Sequence, residues 1–209
     1  MNESVEYIQT IKHKGYTISI DYDPSPESPR EWDNLGTIYS NHRSYSPDGH
    51  GIEELIEDVG GDLYDSVIPW DLIGKKYYYL KVWMYDHSGV AIRTGENNPW
   101  GSGWMAWDSG LLGVIAVKKS DACKEYGRKR ACKSVQERAE KCLEHEIEAL
   151  NTFASGQIYG YIVEDENGEE VDSCWGFYDI DEAVSDAKDF VDCDYDFRFG
   201  KSIFLDCEA

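Results

Sequence analysis

Polar and apolar positions alternate over residues 16–22, YTISIDY, with the two-residue period of a half-buried strand. The prolines of DPSPESP end that strand, because proline neither donates to a ladder nor continues a helix, and the stretch reads as a rigid loop. GTIYS, 36–40, predicts a short strand, and NHRSYSPDGHG, 41–51, is turn chemistry. Residues 52–59 predict a short acidic helix that Gly60 and Gly61 end. KKYYYLKVWMY, 75–85, is the segment richest in aromatic and β-branched residues and predicts a central strand, turned at 86–89 and returning as a hairpin over 90–94. The tryptophan- and glycine-rich 97–110 suits a loop whose large rings anchor it against the body, and 111–118 predicts a buried strand.

Ser120 is placed to cap a short helix ending near Gly127. A long amphipathic helix follows: Val135, Ala139, Cys142, Leu143, Ile147, Leu150 and Phe153 recur at helical spacing, and Gly156 stops it. Residues 157–164 and 170–178 predict two strands joined at Asn167-Gly168, a dipeptide that accepts the positive φ angles of a hairpin turn. Asp179 caps a last helix with the stripe Ile180, Ala183, Val184, Ala187 and Val191, and the tail 197–209 predicts one more short strand. Strands scattered among helices, with at least two hairpins, predict an α+β fold: a largely antiparallel sheet with one long amphipathic helix and shorter helices packed on it, in a single domain over 1–209.

Charge changes this picture most. The formal net charge is −21, and its distribution is uneven: residues 1–60 and 156–209 hold the excess, the latter with 16 acids against 3 bases. Such a field repels nucleic acid and attracts basic surfaces, so direct nucleic-acid binding is not expected. No apolar run has the length of a signal sequence or a membrane span, which makes the cytoplasm the expected location and excludes a membrane partner from the expectation. The six cysteines follow no C-x-x-C spacing and read as reduced thiols, several of them buried.

Chemical motifs are sparse. GSG at 101–103 lacks the rest of a dinucleotide loop, DSG at 108–110 lacks the leading glycine of a nucleophile elbow, and HEIE at 145–148 lacks the second histidine of a zinc-protease helix. Asp192, Asp194 and Asp196 begin like a calcium loop, but its glycine and glutamate positions hold Phe197 and Ile203, so a solvated acidic edge is expected and no metal or cofactor is. The catalytic candidates are His87 in YDHSG and Cys174 in DSCWGFYD, with Asp86 or Asp108 to orient the imidazole; against them stands a packed thiol and a turn histidine. The tryptophans read as core and loop anchors, and the five bases of KEYGRKRACK as a solvated helix connection compensated by the glutamates that follow.

The blocks SPREWDNLGT (28–37), YDHSG (85–89), PW followed by WDSGLLGVI (99–115), KEYG (124–127) and YGYIVEDENGEEVDSCWGFYD (159–179) together resemble a family of tailed-phage and mobile-element accessory proteins to which no activity is assigned. One departure is the insertion of GSGWMAW between Trp100 and Asp108, where PW would stand directly before DSG. The resemblance implies a small accessory protein made in the cytoplasm of an infected host cell rather than a virion component. Combined with the charge, the expectation is an anti-defence inhibitor that imitates DNA and binds a basic host protein through Asp165, Glu166, Glu169, Glu170, Asp172, Asp192, Asp194 and Asp196. The alternative is a small-ligand or nucleotide-binding protein, or a hydrolase, built from the YDHSG, WDSG and SCWGFYD blocks.

Overall fold

The computed structural model describes residues 7–62 and 67–199, with side chains through 194. The fold is α+β with two largely antiparallel sheets, and the chain divides into two compact units. The smaller comprises residues 1–27 and 156–209, and the larger residues 28–155.

In the smaller unit, β1 (Gln9–His13), β2 (Tyr16–Tyr22), β8 (Tyr159–Glu164) and β9 (Glu170–Phe177) form an antiparallel sheet in the order β1-β2-β8-β9. Helix α5 (Ile180–Phe199) packs on it. Ala183, Ala187 and Val191 recur every four residues and meet Ile18, Ile20 and Val163 in a closed core. Small side chains at the first two positions let the helix approach the sheet closely. Asp179 caps α5 as predicted, accepting from the Asp181 amide at 2.7 Å. The predicted C-terminal strand does not begin where it was placed: residues 197–199 continue α5, and 200–209 lie outside the described residues. Strand β1 went unpredicted because QTIKH is a polar edge with Ile11 as its one core-facing aliphatic residue.

Close approach explains Gly160. A Cβ there would come within 2.1 Å of the Trp175 ring, so the indole packs directly against the bare backbone of the neighbouring strand. The register shift between Tyr159 and Gly160 accommodates it.

The larger unit holds β3 (Thr37–Ser40), β4 (His50–Gly51), β5 (Tyr77–Asp86), β6 (Val90–Thr94) and β7 (Ser109–Lys118) in the order β4-β3-β7-β5-β6. The β3–β4 pair alone among these is parallel. The central strand is β7, whose run Leu112–Val117 is buried without alternation because both faces are covered. On one face Ile115 and Val117 join α3 (Lys119–Glu125) and α4 (Lys133–Ala154), where Val135, Ala139, Leu143, Ile147 and Leu150 form the buried stripe. On the other, Val114 and Ala116 meet α1 (Ile52–Asp58) and α2 (Trp70–Lys76). Each fully buried Leu or Ile in these layers contributes about 1.5–3 kcal/mol.

Three local expectations are corrected. Residues 75 and 76 end α2 instead of opening the strand, since a helix start at Pro69-Trp70 carries them to its last turn. Lys118, not Ser120, is the N-cap residue of α3, because β7 runs directly into the helix. In the 97–110 loop, Trp100 is the anchored ring, while Trp104 and Trp107 are 67% and 90% exposed on a short 3-10 helix, Gly103–Asp108.

Candidate functional site

The smaller unit carries 21 of the 41 acidic residues and 5 of the 20 basic ones, a net of −16. Asp192, Asp194 and the backbone of Asp196 lie on α5, not on a strand edge; the Asp196 side chain lies outside the described residues. Several of the singled-out acids are engaged within the fold. Asp165 closes the β8–β9 turn by accepting from the amides of Asn167 and Glu169 at 2.8 and 3.0 Å. The Tyr161 hydroxyl lies 2.9 Å from a carboxylate oxygen of Asp172 and 3.0 Å from one of Asp186 and shares its single proton between them, and burial together with these two carboxylates pushes that phenol far above its ordinary pKa. Asp192 meets His13 Nε2 at 2.5 Å and Lys14 Nζ at 3.1 Å, and the His13 contact, followed by Lys14, holds its carboxyl below the usual range. Asp194 accepts from the Tyr16 hydroxyl at 2.6 Å. Glu170 accepts from Ser173, Glu166 lies over Gly15, and Glu169 is exposed.

A further acidic strip was legible but not read. Glu182, Asp186 and Asp189 fall on the exposed side of α5, out of phase with its apolar stripe. Spacings of four and then three residues on a helix set these acids about 6 and about 4.5 Å apart along its axis, which gives an extended row of charge.

The catalytic candidates divide between the units. Asp86, His87 and Asp108 gather in the larger unit, where the β5–β6 turn meets the start of β7. His87 Nδ1 stands 3.4 Å from Asp108 Oδ2, farther than in a good hydrogen bond, and the imidazole is more than half exposed. Trp104 meets the imidazole edge-on. Asp86 and Asp108 border a cavity of about 290 Å3, with His42, Trp107 and Ser109 on its wall. Ser109 Oγ accepts from Asn98 Nδ2 at 2.9 Å. Cys174 belongs to β9 of the smaller unit and is exposed there. Of the thiols expected to be buried, Cys123 is; Cys132, Cys174 and Cys193 are exposed, Cys142 is half-buried, and all five are free. Cys207 lies outside the described residues.

Sequence reading also missed a buried charge cluster. Arg30, from SPREWDNLGT, pairs with Asp48 at 2.8 Å and Glu146 at 2.9 Å, with side chains 6%, 13% and 10% exposed. Burial opposes the guanidinium charge, but the two carboxylates outweigh it and raise the Arg30 pKa. Asp48 also accepts from the Ile38 amide, and Glu146 from the amides of Leu35 and Gly36. The cluster therefore fastens the 28–36 segment and β3 to α4. Burial, then the Glu146 charge, pushes the Cys142 thiol up, which keeps it protonated.

Among the described residues no group of three or more His, Cys, Asp or Glu is arranged to hold a metal ion, and no helix is long and apolar enough to cross a membrane. No family model, curated protein or solved structure matches the chain.

Proposed function

We propose that the protein acts by binding a basic, nucleic-acid-binding surface of another protein, with its smaller unit as the charged contact. The observation that carries this reading is the net −16 of that unit combined with the exposed acids of α5 and the β8–β9 turn. The engaged acids fix the scaffold, and the exposed ones meet the partner's Lys and Arg residues. Rows of carboxylates stand in for phosphates, and association is steered by the field. The resemblance to phage accessory proteins makes a host defence enzyme the expected partner and the host cytoplasm the place of action.

The test is affinity capture from host lysate at ~0.05 M and ~0.5 M salt, where screening lengths differ severalfold. Recovery of one nucleic-acid-binding protein at low salt and its loss at high salt supports the reading. Capture that does not change with salt contradicts it.

A second reading, a small-ligand protein or hydrolase, is favoured by one observation: Asp86 and Asp108 share a cavity with His87 against Asp108. In that reading Asp108 orients His87 as a general base.

A further inference from the structure

The larger unit contains a groove of about 570 Å3 between the 29–35 segment, α3 and α4, within the size range of small-ligand sites. It joins two of the sequence blocks, SPREWDNLGT and KEYG, which are separated by more than eighty residues in the chain. Pro29, Leu35 and Ala149 supply an apolar wall, and Trp32, 47% exposed, and Tyr126 supply rings. Four carboxylates line the groove and no Lys or Arg does. Two of them are matched by cations just outside it: Glu146 by Arg30 and Asp121 by Lys124, each at 2.9 Å. Asp33 and Glu125 have no such cation among the described residues, and both are exposed.

Two unmatched carboxylates repel an anion, and an indole face attracts a cation while covering aliphatic carbon. The groove's own wall illustrates the contact, since the Arg138 guanidinium sits 4.1 Å from the Tyr126 ring centroid. We propose that this groove binds a small free organic cation, an aliphatic chain bearing a guanidinium or ammonium head. Asp33 and Glu125 hold the head, and the chain lies against Trp32 and Leu35. The residues that line this groove all belong to the larger unit, and neither proposal depends on the other.

The experiment is calorimetric titration of the full chain with agmatine at ~0.15 M salt, which screens diffuse attraction to a protein of this charge. One saturable site is expected, weakened about tenfold by Trp32→Ala and by Glu125→Gln, and unchanged by the double variant Glu182→Gln, Asp189→Asn in the smaller unit. Glu125→Gln replaces an exposed side chain isosterically and keeps the test valid if Trp32→Ala disturbs folding. Unsaturable binding, equal affinity in wild type and Glu125→Gln, or loss of binding in the smaller-unit variant overturns the proposal. So does binding of an arginine-containing peptide without binding of agmatine, which would make the occupant a protein side chain.

Discussion

The Arg30 guanidinium meets the Glu146 carboxylate at 2.9 Å, with the two side chains only 6% and 10% exposed. Two charges removed from water in this way are stable only while each satisfies the other, and here Asp48 and three backbone amides complete the set. Glu146→Ala leaves the buried guanidinium with one carboxylate and strands the amides of Leu35 and Gly36. A loss of about 3–5 kcal/mol is expected, read as a lower urea midpoint.

Gly160 gives a prediction of opposite origin. Its Cβ position lies 2.1 Å from the Trp175 ring and 2.8 Å from the Cys174 carbonyl oxygen, so Gly160→Ala must displace the indole and the strand behind it. A cost of about 1–3 kcal/mol is expected, with a lower thermal midpoint and a shifted near-ultraviolet signal from the indole.

Acid stability should report Asp58. Hydrogen bonds from Lys76 and then Tyr77 depress its pKa to about 2. The folded pKa lies below the unfolded one, so its contribution is present above about pH 4 and fades as pH falls through about 2. The site is a third exposed, which limits the effect to about 1 kcal/mol or less. Denaturation curves of wild type and Asp58→Asn should differ at neutral pH and converge near pH 2.

Thiol reactivity should follow exposure. Cys132, Cys174 and Cys193 are open to solvent, whereas Cys142 is half-buried with a raised pKa. Alkylation at mildly alkaline pH, mapped by peptide mass spectrometry, should label those three before Cys142. Equal labelling of Cys142 would contradict the environment assigned to it.

The legible parts of the fold were those whose local pattern and tertiary setting agree. YTISIDY, the 77–94 hairpin, α4 and the Asn167-Gly168 hairpin each carry a period or a turn signal that their packing uses directly. β1 carries little apolar signal, with Ile11 partly buried, and α2 is too short at seven residues to show a helical period, with Ile73 fully buried, so their existence depends on neighbours distant in sequence. The same holds for the site. Acidic excess was readable from composition, but the partners of Asp192 and Asp194 come from β1 and β2, some 180 residues away. The Asp192–Asp196 alternation suggested an edge strand, and the stripe ending at Val191 placed it on a helix instead.

The central claim is that charge on the smaller unit makes the contact with a partner. The most direct measurement compares capture from host lysate at low salt by wild type and by a variant carrying Glu166→Gln, Glu169→Gln, Glu182→Gln and Asp189→Asn, with unchanged circular dichroism as the check on folding. These four side chains are exposed. The account predicts at least a tenfold fall in recovery of the nucleic-acid-binding partner, from the loss of steering and of charge-assisted contacts. Equal recovery by the folded variant would contradict it and return weight to the cavity beside His87 and Asp108.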